Sequence, residues 1–201
     1  FQEDYINKDK DNYILKYNYE NRLIVRMGYN YSYNSAGGAL VNNTITTNSY
    51  SIRAGFESAG NILYGISKMI NMRKNKDGEY AILGIPYAQY LKGDFDFAKN
   101  IIIDHRNSLA FHAGIGIAVP YGNAKVVPFE KRYFSGGANS VRGWSVRNLG
   151  PGSFAGDGNF MNQSGDIKLD ASIEYRTRLF WKFRGAAFID AGNIWSIKSY
   201  D

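Results

Sequence analysis

The 201-residue sequence predicts an all-β fold of a particular kind, part of a transmembrane antiparallel β-barrel that carries one long loop. Three observations point there. Apolar and polar residues alternate at spacing two in segment after segment, the pattern of strands with one greasy and one polar face. These segments run to about nine to fourteen residues, matching a tilted membrane strand better than the five or six usual in soluble sheets. The composition joins 16 Tyr, 12 Phe and 3 Trp to 22 Gly and only 4 Pro, at a mean hydropathy of -0.37. A soluble sandwich would share the alternation, but strand length favours the barrel, as do Tyr29, Tyr31, Tyr33, Trp181 and Trp195 near strand ends.

The first strand is expected over residues 13–20, with Tyr13, Leu15, Tyr17 and Tyr19 on one face, and a tight turn at Asn21 and Arg22. The second, over 23–34, sets Leu23, Val25, Met27, Tyr29, Tyr31 and Tyr33 against Arg26, Gly28, Asn30, Ser32 and Asn34. The third, over 49–57, opposes Tyr50, Ile52, Ala54 and Phe56 to Ser51, Arg53, Gly55 and Glu57. Residues 59–86 lose the period and read as a long loop with a short helix. A fourth strand over 90–103 and a turn at 104–107 lead to a fifth over 108–119, with one greasy face and one face of small residues. The sixth, over 166–179, is the cleanest: Ile167, Leu169, Ala171, Ile173 and Tyr175 against Asp166, Lys168, Asp170, Ser172, Glu174 and Arg176. A turn near Phe180 precedes the last strand, over 181–195.

Between the fifth and sixth strands, residues 120–165 form a stretch rich in Gly, Asn and Ser, far longer than the 12–15 residues above which structureless loops are usually functional. It is the candidate site. Seven strands cannot close a bacterial single-chain barrel, where the number is even and open edges are not tolerated in lipid. Residues 1–201 are therefore expected to be a fragment of a larger barrel, without its last strands.

Other chemistry finds little support. The longest aliphatic run, Ile101 to Ile103, rules out a membrane-spanning helix, and residues 1–11 do not read as a signal peptide. With no cysteine there is no disulfide framework or thiolate site. The net charge of +6 is spread without a basic block, so nucleic acid is not an expected partner. No Gly-x-Ser-x-Gly, phosphate-binding loop or His-Glu-x-x-His occurs. The two histidines, His105 and His112, read as turn and strand-face residues. An outer-membrane enzyme such as a phospholipase would have to draw on Ser108, Ser172 and His112.

Three pieces of the chain carry a family resemblance. The first runs from Pro128-Phe129-Glu130-Lys131-Arg132-Tyr133-Phe134-Ser135-Gly136-Gly137 to Asn139-Ser140-Val141-Arg142-Gly143-Trp144 and Leu149-Gly150-Pro151. The second is Ala171-Ser172-Ile173-Glu174-Tyr175-Arg176, and the third Phe188-Ile189-Asp190-Ala191-Gly192-Asn193-Ile194-Trp195. In order and spacing they resemble the loop-six motif and two following strands of the BamA/TamA superfamily of outer-membrane assembly factors, the bacterial surface antigen family. The wording around Ile85-Pro86-Tyr87 and Val119-Pro120-Tyr121 is similar to Bacteroidetes-type members.

The resemblance implies a barrel of about sixteen strands preceded by periplasmic POTRA domains, of which this chain would be the middle-to-late part, with residues 34–48 as an unusually long periplasmic turn. It implies a bacterial outer-membrane location and insertion, folding or export of other proteins without cofactor, metal or covalent chemistry. The partners would be unfolded outer-membrane client proteins, outer-membrane lipids, and accessory lipoproteins or periplasmic partners. A passive porin or transporter and a two-partner secretion transporter are the alternatives.

It also implies that Val141, Arg142, Gly143 and Trp144 lock the loop into the lumen. Strand parity allows Glu174, Phe188 and Asp190 to face inward and meet Arg142. A guanidinium forks to carboxylates bidentately where lysine cannot, and breaking such a pair when buried costs about 3–5 kcal/mol. Gly143 is expected to permit a turn other residues make poorly, and Trp144 to pack the loop tip on the wall.

Overall fold

In the computed structural model of the chain, residues 21–36, 40–41, 44–45, 47–153 and 163–197 are described. Six long strands follow one another: β1 (Arg26–Asn34), β2 (Ser49–Ala59), β3 (Tyr90–Ile102), β4 (Asn107–Pro120), β5 (Ile167–Arg178) and β6 (Arg184–Trp195). Each pairs antiparallel with the next, in chain order, as one sheet. Proline is kept out of every strand interior; Pro120 is the last residue of β4, where a missing N–H costs the ladder least. The strand expected over 13–20 lies outside the described residues.

Two boundaries of these six strands differ from expectation by three residues, and the others by two at most. Leu23 does not begin β1, because its backbone is taken by another segment: its N–H donates to the Pro86 carbonyl (3.0 Å) and its carbonyl accepts from Ala88 N–H (2.9 Å). Nor does Trp181 begin β6. It sits in the turn with φ 52°, which Leu179 and Phe183 close through N–H to carbonyl bonds of 3.0 Å. The period-lacking stretch holds the expected helix, α1 (Asn61–Met69), and a two-residue ribbon of Ala81–Ile82 against Ile85–Pro86. No described helix is long and apolar enough to cross a membrane.

The register places most of the strands' greasy residues on one side, with Tyr90, Phe188 and Ile194 turned to the other, under the long loop. Tyr29 opposes Phe56, Phe95 opposes Ile115, and Ile173 opposes Ile189, and all six are exposed. This outer face would be untenable in water as a continuous patch. The other face carries Glu57, Asp94, Asp96, His112, Asp170, Glu174 and Asp190. Connections differ by end. The turns between β3 and β4 and between β5 and β6 are short and residues 35–48 join β1 to β2 at the same end, whereas the longest connections, residues 60–89 and 121–166, leave from the opposite end, the asymmetry of membrane barrels.

The buried cluster lies beneath the long loop, on the charged face, and not between two sheets. Ala59, Tyr90, Ala118 and Ile194, at the strand ends nearest the long connections, meet Val127 and Tyr133 of the loop. Close approach at Gly116 makes this possible, since a Cβ there would stand 2.5 Å from Cζ of Tyr133. Gly116→Val should therefore lower stability by about 1–3 kcal/mol, read as a urea midpoint of the detergent-solubilised barrel. Gly93→Ala, whose Cβ would meet nothing within 4 Å, should change it by less than about 0.5 kcal/mol. Equal effects would show that the loop does not rest on Gly116.

Candidate functional site

The loop between β4 and β5 returns across the charged face in steps fixed by hydrogen bonds. A 3-10 turn, Phe129–Lys131, delivers Arg132 and Tyr133 to the wall. Arg132 is buried against Asp166 (3.4 Å) and donates to the Ser164 hydroxyl (3.1 Å). Tyr133 exchanges two 2.8 Å backbone bonds with Gly165. Its phenol donates to Oδ1 of Asp94 (2.7 Å), with Lys92 Nζ 4.1 Å from the ring centre. Burial, and then the Asp94 carboxylate, pushes the Tyr133 phenol well above its usual range, so it remains a donor.

Beyond Tyr133 the chain makes a tight excursion. Its neck is the bridge between Ser135 and Leu149, and inside it Gly137 N–H donates to the Trp144 carbonyl (2.8 Å). Gly136, at φ 95°, has no room for a side chain, because a Cβ would meet the Ser145 carbonyl oxygen at 2.2 Å. The excursion presents Val141, buried against Gly192 of β6, and then Arg142.

Arg142 is held from main chain and side chain together. Its N–H donates to Asp190 Oδ2 at 3.0 Å, and its Nε and Nη2 fork to Oδ2 and Oδ1 of the same carboxylate at 2.7 Å each. Nη1 donates to Glu174, which also accepts from Arg176 Nε. The guanidinium carbon lies 3.6 Å from the centre of the Phe188 ring, a cation–π contact. The Asp190 side chain is 4% exposed and that of Arg142 26%, so one end of the fork is nearly dry and the other wet. Hydrogen bonds to Asp190 and then Glu174 raise the Arg142 pKa further above an already high value. The group is a permanent cation suited to holding, not to proton transfer.

Val141, Arg142, Glu174, Phe188 and Asp190 are thus brought together on β5, β6 and the loop. Gly143 and Trp144 are not. Gly143 is exposed, has no positive φ, and a Cβ on it would meet nothing within 4 Å. The conformational demand expected of it falls on Gly136 and Gly137 instead. Trp144 is 45% exposed, and its described hydrogen bonds are made by its backbone. Sequence reasoning did not find the contacts of Tyr133 with Asp94 or Arg132 with Asp166. The signal available was an aromatic and a cation directly before the glycine pair; their partners depend on strand register, which no local pattern reveals.

Among the described residues there is no group of three or more His, Asp or Glu placed to hold a metal. His112, the one strand histidine, faces Asp96 through Nε2 (3.3 Å) and Asp170 through Nδ1 (3.5 Å). Both ring nitrogens are turned to carboxylates and not to Ser172, which stands opposite in register. That geometry does not prepare a serine nucleophile.

A family model described as the Omp85 superfamily domain matches residues 2–201. Over 96 residues the chain is 34% identical to the outer membrane protein assembly factor BamA of Neisseria meningitidis serogroup B, covering 43% of this chain and 12% of that protein. A crystal structure of BamA from Haemophilus ducreyi lacking POTRA domains 1-3 is similar with a TM-score of 0.44 at 17% identity, over 86% of this chain and 42% of that one. The chain spans less than half the length of either relative. With the family model matching it from its second residue to its last, the chain belongs to the Omp85 superfamily of bacterial outer-membrane proteins.

Proposed function

We propose that this chain is the middle-to-late part of a barrel of about sixteen strands that inserts, folds or exports other β-barrel or surface proteins at the outer membrane. The observation that carries the reading is the Arg142 fork, which ties the long loop to β5 and β6 in a member of the Omp85 superfamily. The proposed role of the fork is to keep the loop in the lumen while an incompletely sealed strand edge templates incoming strands by backbone pairing. No cofactor takes part. The partners are unfolded outer-membrane clients, the surrounding lipids, and accessory lipoproteins or periplasmic proteins. Passive conduction is favoured by a free inner face, and here the loop lies across part of it.

In the full-length protein, Arg142→Ala should lower the rate of client-barrel insertion into proteoliposomes by about ten-fold or more and destabilise the barrel by about 2–3 kcal/mol. This is below the expected cost of breaking a fully buried pair, because water reaches the guanidinium. Arg142→Lys should recover only part of the activity, since an ammonium cannot fork. Unchanged insertion, with the loop still resistant to protease, would sink the proposal. A steady bilayer conductance indifferent to Arg142→Ala would favour a porin.

The two carboxylates should not be equivalent. Asp190 accepts three bonds from Arg142 and Glu174 one, the latter keeping Arg176 as a second partner. Asp190→Asn should therefore impair insertion several-fold more than Glu174→Gln, measured side by side at equal folded protein. The reverse order would mean that the loop is fixed chiefly from β5.

A further inference from the structure

Helix α1 is amphipathic in the sense opposite to a helix on a soluble protein. The residue it buries is Ser67, which accepts a hydrogen bond from the Tyr87 hydroxyl (3.2 Å). The side it leaves open carries Ile62, Ile66, Met69 and Ile70, at the spacing of one helical face and 46–81% exposed. Between the start of this helix and the outer face of β1 and β2 lies an apolar groove of about 430 Å³, walled by Val25, Met27, Tyr29, Phe56, Ile62 and Leu63. Met27, Tyr29 and Phe56 belong to the greasy outer face, so the groove opens onto the surface that meets lipid. The groove lies at the end of the sheet where the long connections gather, the outward end in such barrels. Lys68, Arg73, Lys74 and Lys76 are exposed on the helix and the segment after it, against one exposed acid, Asp77. Glu79 is buried with Arg22.

We propose that this groove seats an acyl chain of an anionic outer-leaflet glycolipid, lipid A in chemistry, with α1 lying in the headgroup layer and its cations facing the phosphates. The apolar walls take the chain, the inverted helix face meets the acyl boundary, and the basic stretch supplies the complementary charge. The site rests on the outer-membrane placement and not on the assembly reading, so the two can fail separately.

The test is native mass spectrometry of the full-length protein in mild detergent, with lipid A or phosphatidylglycerol added. Wild type should retain one lipid A through delipidation, as should Leu83→Glu, a change at an exposed site outside the groove. Ile62→Glu, which places a carboxylate in the groove, should lower the retained fraction by about ten-fold. Ser58→Trp fills the groove without adding charge and should do the same; heat-modifiable migration confirms that each variant is folded, and client insertion is followed in parallel. Equal retention in wild type and both groove variants would overturn the proposal. So would preferential retention of phosphatidylglycerol, or a co-purifying polypeptide that is lost in place of lipid.

Discussion

A sheet with one face in lipid must carry its charges on the other, and in this chain that separation organises the rest of the structure. The register sends Glu57, Asp94, Asp96, Asp170, Glu174 and Asp190 to a single side. Water or cations must meet those carboxylates and that of Asp166, whose backbone is bonded to Ala118 and Trp195 at the root of β5, and the long loop supplies cations at three levels. Lys131 reaches Glu57 (3.0 Å), Arg132 reaches Asp166 (3.4 Å), and Arg142 reaches Asp190 (2.7 Å) and Glu174. The loop is a basic strap across an acidic wall. The apolar residues buried beneath it, Tyr90, Val127, Tyr133 and Ile194, pack where the strap closes.

The strap's last point has a different character from its first two. Lysine at 131 offers a point charge, whereas Arg142 uses a planar fork, its own backbone N–H and the Phe188 ring at once. With the bond to Glu174, five contacts from one residue define position and orientation, which a single ion pair does not. Gly136 and Gly137 contribute by letting the chain turn back within a few residues, so that Val141 and Arg142 reach β6 together. A strap fixed in this way still has an exposed guanidinium edge. It is held firmly enough to stay, with a strength that solvent moderates.

Parity was the most legible part of the sequence. Because strand side chains alternate strictly, Glu174, Phe188 and Asp190 could be assigned to the inner face without any knowledge of pairing, and the structure places them there. Register was not legible. Nothing local says that Asp96, Gly114 and Asp170 stand in a row, so the carboxylates around His112 could not be foreseen. The two most shifted boundaries have the same origin: the alternation continues through Leu23 and Trp181, but hydrogen bonds to residues 86–88 in one case and a left-handed turn residue in the other decide where pairing begins. Gly143 illustrates a further limit. A glycine beside a functional arginine suggests a backbone requirement, yet the requirement lies at Gly136, set by the approach of the Ser145 carbonyl across the turn.

The same two-faced logic extends to α1. On a soluble protein, a helix burying Ser67 and exposing Ile62, Ile66 and Met69 would be a local conflict between sequence and fold. Beside an outer face that is itself apolar the conflict disappears, because the helix's greasy side continues the surface of Met27, Tyr29 and Phe56. The helix and the strap thus answer opposite demands of one sheet at one end: the strap covers charge on the inside, and the helix extends apolar surface on the outside. On the part of the charged face that the strap covers, water can reach Glu57, Asp94, Asp166 and Asp190 freely only by displacing it. Bilayer contact on the outer face needs no such rearrangement, so the chain meets its two surroundings with separate segments, each matched to the chemistry of the face beside it.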